Sequence, residues 1–266
     1  MKSSSRIQGL SLKVGPLGEN DRLLTILSAQ EGIVRLAVPG ARRPKSSLSA
    51  TTPLTFLELQ IGGKTGLRRV NQIKILKSFS KLGESLETLA AAQVIAELSI
   101  LLVGANDPQP GILKAALIHL ERLESKQTGT LFTLANCIQS CVHLLALGGY
   151  NLPIQECWRT GEALEPPIGN WSWRCSFLAS EGFAVGSIPN ATIELNASEL
   201  ALLQRLIKPN LPIKSNGELL GPFKVWIKLL IVLEAWIETH LQQKLNALQI
   251  LKASINANER KEITTN

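Results

Sequence analysis

Gly32-Ile33-Val34-Arg35-Leu36-Ala37-Val38-Pro39-Gly40-Ala41-Arg42-Arg43-Pro44-Lys45-Ser46 joins a β-strand to a basic loop. Val34, Leu36 and Val38 alternate with Arg35 and Ala37, so one set faces a core and the other faces water. Pro39-Gly40 turns the chain out of the strand. Arg42, Arg43 and Lys45 then crowd into a loop that Pro44 stiffens, followed by Ser46 and Ser47, whose hydroxyls suit phosphate oxygens.

The same period extends to both sides. Leu10, Leu12 and Val14 alternate with Ser11 and Lys13, and Leu57, Leu59 and Ile61 with Glu58 and Gln60. Turn signals at Gly15-Pro16, Gly18-Glu19-Asn20-Asp21, Gln30-Glu31-Gly32 and Gly62-Gly63-Lys64-Thr65-Gly66 divide the segment. Five strands are predicted, over residues 6–14, 22–29, 32–38, 54–61 and 67–77. Five short strands in one compact segment suit an OB-fold barrel. Gly62-Gly63-Lys64-Thr65 resembles the end of a P-loop, but Glu58 stands where the upstream glycine belongs and no helix follows, so it reads as a hairpin turn.

Charge singles out the same segment. Residues 1–80 hold 13 Lys and Arg against four acids, a balance of +9, while the remaining 186 residues hold 15 basic and 17 acidic side chains, or −2. One end of the chain is built to meet a polyanion. Arg35 lies on the polar side of its strand, Arg42, Arg43 and Lys45 in the loop, and Arg68, Arg69 and Lys74 on the last strand. These seven are the predicted nucleic-acid-binding residues. The segment's only aromatics are Phe56 and Phe79. Barrels that grip single strands tightly stack bases on several rings, so the expected contact is electrostatic and tolerant of sequence.

Beyond residue 80 the pattern turns helical. Apolar residues recur at helical spacing over 85–103, 111–125 and 128–147, stopped by Asn106-Asp107-Pro108 and by Gly148-Gly149. Residues 150–195 lose the period and read as an irregular insertion. Asn196-Ala197-Ser198-Glu199 is a capping box for a short helix to 208. Pro222 opens a further apolar helix ending near 245, and the tail from 257 to 266 is expected to fray. The expected domains are therefore a barrel over 1–80 and a helical domain over 81–256.

Hydrophobic residues at 45% allow a sizeable core, and charged residues at 18% fall below the usual quarter, which argues against disorder. The polar start, Met1-Lys2-Ser3-Ser4-Ser5-Arg6, has no apolar core of a signal peptide. The apolar run over 225–237 is too short to span a bilayer and is broken by Lys228 and Glu234. A soluble cytoplasmic protein is expected, with no membrane partner. Cys137, Cys141, Cys157 and Cys175 form no CxxC pair, and Cys137 and Cys141 sit at i, i+4 in an apolar helix, as small core residues do. His119, His143 and His240 have no carboxylate or cysteine at motif spacing, so no catalytic group is assigned and no enzyme activity is expected.

Gly18-Glu19-Asn20-Asp21-Arg22-Leu23-Leu24-Thr25, Glu31-Gly32-Ile33-Val34-Arg35 and Gly40-Ala41-Arg42-Arg43-Pro44-Lys45-Ser46 resemble the N-terminal signature of the bacterial recombination mediator family RecO. Ala90-Ala91-Ala92-Gln93-Val94-Ile95-Ala96-Glu97-Leu98 resembles the first helix of that family's second domain, and His240-Leu241-Gln242-Gln243-Lys244-Leu245 its closing helix. The resemblance implies an N-terminal OB-fold and a helical C-terminal domain. It implies binding of single- and double-stranded DNA, annealing of complementary strands, and RecA loading with RecR, sometimes RecF, and single-stranded DNA-binding protein. It also places the chain in the cytoplasm, with the nucleoid.

Many members of that family carry a CxxC…CxxC zinc knuckle where residues 157–190 lie. Cys157-Trp158-Arg159-Thr160-Gly161 keeps the first cysteine and the glycine, and no second pair follows; Cys175 stands upstream of its place. Two thiols cannot close a site that takes four Cys or His ligands, so no zinc is expected. Trp158, Trp171, Trp173 and Phe177 are expected to pack as the local core instead. Two other readings share the basic barrel: an RNA-binding OB-fold protein, and a scaffold whose barrel meets an acidic protein tail.

Overall fold

The alternating segments close into the barrel that their period predicts. The computed structural model describes residues 4–63, 66–125 and 129–264. Strands β1 (Ser4–Leu17), β2 (Asp21–Ser28), β3 (Gly32–Val38), β4 (Thr55–Gly62) and β5 (Arg68–Ser78) form a closed barrel in the order β1-β2-β3-β5-β4. Its neighbours pair antiparallel except β3 with β5, which pair parallel over Leu36–Arg68 and Ala37–Arg69. Val34, Leu36 and Val38 of β3 and Leu57, Leu59 and Ile61 of β4 meet Ile7, Leu24, Ile26 and Val70 in the barrel core. Lys2, and the Lys64 and Thr65 of the expected hairpin turn, lie outside the described residues.

β1 departs from simple alternation. Leu10 and Leu12 are buried but stand outside the barrel's core cluster, where Ile7 represents the strand. Successive side chains point to opposite faces, so Leu10 lies on the outer face. Helices α1 (Leu86–Leu102) and α2 (Pro110–Leu123) pack there against β1. A bulge between Ser11 and Lys13 shifts the register, so that Lys13 faces Thr25.

The α1–α2 loop is bonded to the β2–β3 turn. Ile33 N–H donates to Gly104 C=O at 3.0 Å, and Asn106 N–H to Glu31 C=O at 3.0 Å. Gly32 allows this approach: its φ is +67°, and a Cβ there would lie 2.4 Å from the Asp107 carbonyl oxygen and 2.5 Å from that of Gly104. The first compact unit accordingly runs Met1–Ser125 and includes both helices; the second is Lys126–Asn266.

In the second unit α3 (Thr130–Leu147) packs against α5 (Phe223–Leu241). By length and composition α3, rather than the run over 225–237, is apolar enough to cross a membrane, yet 67% of it is buried. It also buries Asn136, Gln139 and Ser140, each bonded to a backbone carbonyl. Cys137 and Cys141 are buried on it, as expected of core residues.

The insertion is less irregular than expected. It holds β6 (Arg174–Leu178), β7 (Gly182–Val185) and β8 (Ile193–Asn196), an antiparallel sheet in the order β7-β6-β8. α4 (Ala197–Arg205) starts with the expected capping box: Asn196 Oδ1 accepts from Glu199 N–H at 2.9 Å, and Glu199 Oε2 from Asn196 N–H at 2.8 Å. α5 ends at Leu241, where Gln242 turns left-handed at φ +52°, and α6 (Asn246–Thr264) continues as helix through the segment expected to fray. Leu241, Leu245 and Leu248 keep helical spacing across that break, so periodicity alone does not reveal it.

Candidate nucleic-acid interface

The β-ladders arrange outer-face residues in rows. Lys13 of β1 pairs with Thr25 of β2, which pairs with Arg35 of β3. Ala37, two residues along the same face, pairs with Arg69 of β5. Thr25 is buried between the exposed Lys13 and Arg35, and Arg69 is also exposed. Lys13, Arg35 and Arg69 therefore share one face. Composition alone does not select Lys13; its position on the polar side of the first alternation is the available signal.

The β3–β4 loop carries Arg42, Arg43 and Lys45, all exposed. Residues of the 18–25 block shape it. Asp21 Oδ1 accepts from Gly40 N–H at 2.8 Å, and Arg42 N–H donates to Asn20 C=O at 2.9 Å. The Arg22 guanidinium donates to Thr51 C=O at 2.9 Å and Ser49 C=O at 3.3 Å, bracing the far end of the loop. Arg22 is thus a loop support. Arg42 Nη1 rests on Gly18 C=O at 3.1 Å. Ser46 Oγ accepts from Leu48 N–H at 3.2 Å, so this hydroxyl stabilises the loop's own turn.

Two predicted residues stand apart from this surface. Arg68 is bound to the Glu31 carboxylate through both terminal nitrogens, which neutralises it locally. Lys74 faces Glu58 across the β4–β5 ladder, on a face built by β1, β4 and β5. Lys13, Arg35 and Arg69 lie exposed on the outer face of the barrel, and Arg42, Arg43 and Lys45 lie exposed on the loop that follows β3. Phe79 is buried and Phe56 half-buried, so among the described residues of the barrel no aromatic side chain is exposed for stacking.

The second unit gives the expected zinc position different contents. Among the described residues no group of three or more His, Cys, Asp or Glu could hold a metal. Burial acts to raise the Cys157 thiol, but the Thr160 hydroxyl and the N–H groups of Val185, Thr160 and Arg159 outweigh it and hold the thiol below its ordinary value. Thr160, at the second position of the knuckle, thus donates to sulfur where a ligand would bind metal. Burial, with Cys157 nearby, pushes Cys175 up to about 12. Two thiols and a hydroxyl do not fit zinc.

The local core is not the one expected. Trp158 and Trp171 are exposed, Trp171 to 85%, and Trp173 is half-buried. Trp171 lines a groove of about 560 Å³ with Ile168, Leu202, Arg205, Leu220 and Val225. Phe177 does pack inward, with its ring centroid 4.8 Å from that of Phe183 and 6.3 Å from that of Trp236. His240 lies against Trp236 at 3.7 Å and bonds Ala179 C=O, while His143 bonds Leu206 C=O. Both histidines serve the packing.

A closed five-stranded barrel with a braced cationic loop, followed by a helical domain, defines a protein of the OB-fold class. Comparison narrows the class. The family model described as recombination protein O N terminal matches residues 1–79, and that described as recombination protein O C terminal matches 83–249. The protein named DNA repair protein RecO from Prochlorococcus marinus (strain MIT 9303) is 60% identical over 261 residues, covering 96% of this chain and 97% of the relative. Its namesake from Synechococcus sp. (strain WH7803) is 58% identical over 261 residues, covering 97% of each. The chain belongs to the RecO family of DNA repair proteins.

Proposed function

We propose that this protein is a recombination mediator that binds single- and double-stranded DNA, anneals complementary strands and assists RecA loading with RecR. The observation that carries the reading is the braced loop of Arg42, Arg43 and Lys45 on the same barrel as the Lys13–Arg35–Arg69 face. Two single strands repel each other through their phosphates. A cationic surface lowers that repulsion and concentrates the strands, and the lack of stacking rings leaves bases free to pair. Nothing in this mechanism makes or breaks a covalent bond.

Single-stranded DNA-binding protein, RecF and RecA enter as partners through the family, in the cytoplasm and at the nucleoid. The knuckle works without zinc, stabilised by Phe177, Phe183 and Trp236.

The test is annealing of complementary oligonucleotides coated with single-stranded DNA-binding protein, across a salt series. Wild type should anneal quickly at low salt and lose activity as salt rises, and the Arg42→Ala/Arg43→Ala/Lys45→Ala variant should fail. No annealing by folded wild type at low salt would sink this reading and favour RNA binding or capture of an acidic protein tail.

A further inference from the structure

The barrel has a second polar face, built by strands on its other side. Arg6 of β1 pairs with Gln60 of β4, which pairs with Gln72 of β5. One row along, Gln8 pairs with Glu58, which pairs with Lys74. The two rows form a grid of six long polar side chains, with Arg6, Gln8, Gln72 and Lys74 exposed and Gln60 and Glu58 half-buried. A groove of about 320 Å³ runs between them, lined by Arg6, Glu58, Gln60, Gln72, Ile73 and Lys74. Gln8 Nε2 donates to Glu58 Oε2 at 2.9 Å, turning the single carboxylate toward β1. Among the described residues neither Arg6 nor Lys74 has a side-chain hydrogen bond or ion pair.

This grid is separate from the loop face. Arg69 and Lys74 lie on the same strand, five residues and roughly 15 Å apart at the rise of a β-strand. A bulge at Asn71 keeps both side chains on the outside. Arg6 and Lys13 are likewise separated along β1. The two faces therefore share strands β1 and β5 but occupy different stretches of them.

We propose that the Arg6–Lys74 grid is a second nucleic-acid track, which holds the second strand while the loop face holds the first. This rests on the function proposed above and assigns it a second site. The chemistry favours a phosphodiester chain. Arg6 and Lys74, unpaired among the described residues, flank the groove, and the exposed Gln72 amide offers hydrogen bonds of the kind that go to phosphate and sugar. A protein partner would ask for an apolar or aromatic anchor, and among the described lining residues the one apolar side chain, Ile73, is packed against the barrel core. With Glu58 in the groove and two cations, the track binds more weakly than the loop face. That ordering suits a strand that must be released into a duplex.

The experiment uses the full chain and two non-complementary oligonucleotides with different fluorophores, which report co-binding by energy transfer without pairing. Annealing of a complementary pair is measured beside it. The variant is Arg6→Gln/Lys74→Gln, which keeps polar side chains on the strands; Arg6→Lys/Lys74→Arg restores the charge. The charge-loss variant should reduce second-strand capture and annealing by about fivefold or more, with a smaller loss of first-strand affinity than the Arg42→Ala/Arg43→Ala/Lys45→Ala variant shows. The charge-restored variant should recover both. Wild-type levels of capture and annealing in the charge-loss variant would overturn the second track while leaving the loop face intact. Equal loss of first-strand affinity in the grid and loop variants would also overturn it, by making the two faces one site. Failure of wild type to bind even one strand would remove the proposed function itself.

Discussion

Arg68 holds Glu31 with both terminal guanidinium nitrogens, Nη1 donating to Oε1 at 3.1 Å and Nη2 to Oε2. The pair ties the first residue of β5 to the turn that the α1–α2 loop docks on. Its side chains are 24% and 33% exposed, so solvent screens it in part. Arg68→Ala should lower stability by about 1 kcal/mol, read from the urea midpoint. It should leave the salt dependence of DNA binding close to wild type. A drop in salt slope equal to that of a loop variant would show Arg68 on phosphate instead.

Arg42, Arg43 and Lys45 should each behave as a phosphate contact. Replacing any one with Ala should weaken binding to all sequences alike and reduce the salt slope by roughly 0.7–1. Fluorescence titrations with homopolymer and mixed oligonucleotides at several salt concentrations would check this. Losses confined to one sequence would contradict an electrostatic contact.

Arg22 should affect the loop from beneath. Arg22→Ala removes the bonds to Thr51 and Ser49 carbonyls and should cost about 1–2 kcal/mol. DNA affinity should fall with it, although this guanidinium is turned toward the loop backbone. Hydrogen exchange localises the effect: amides over residues 40–51 should lose protection while those of β4 keep theirs.

Gly32 has no room for a side chain. Gly32→Ala puts a Cβ into the carbonyls of Asp107 and Gly104 in a left-handed conformation. The cost should be about 3 kcal/mol, seen in the unfolding midpoint and as lost protection of the Ile33 and Asn106 amides. A near-neutral effect would mean that the α1–α2 loop does not dock on the turn.

The cysteines give a pH signature and a metal prediction. Cys175 is raised from 9.0 to about 12 in the folded protein. Its contribution is fully present below pH 9, because the thiol is then neutral folded and unfolded. Above pH 9 the unfolded thiol ionises first, so stability falls by roughly 1.4 kcal/mol per pH unit until the folded thiol also ionises. Cys175→Ala should make that alkaline limb shallower in urea titrations; Cys137, raised by its contact with Cys141 and by burial, keeps part of it. Protein purified without added metal should carry no stoichiometric zinc by elemental analysis, and chelator should leave its unfolding midpoint unchanged.

Wherever neighbours along the chain set the outcome, the residues were sufficient. The alternations Val34-Leu36-Val38 and Leu57-Leu59-Ile61 put those side chains in the barrel core, because a strand's period is a property of its backbone. The Asn196–Glu199 capping box formed for the same reason, since its partners are three residues apart. The basic excess before residue 80 was also legible, as was the loop that concentrates it.

What only the tertiary structure decided depends on residues distant in sequence. Arg42 and Arg68 look alike in the chain, yet one is exposed on a loop and the other is bound to Glu31. Lys13 joins Arg35, and Lys74 leaves it, through ladder register that periodicity does not specify. The buried outer side of β1 needed α1 and α2, and Phe177 packs on Phe183 and Trp236 while Trp171 stays exposed. Local chemistry determined which segments are strands, helices and cationic loops. Long-range pairing determined which cations remain unpaired, and on which of two faces they lie, because charge partners and ladder neighbours are chosen only when the barrel closes.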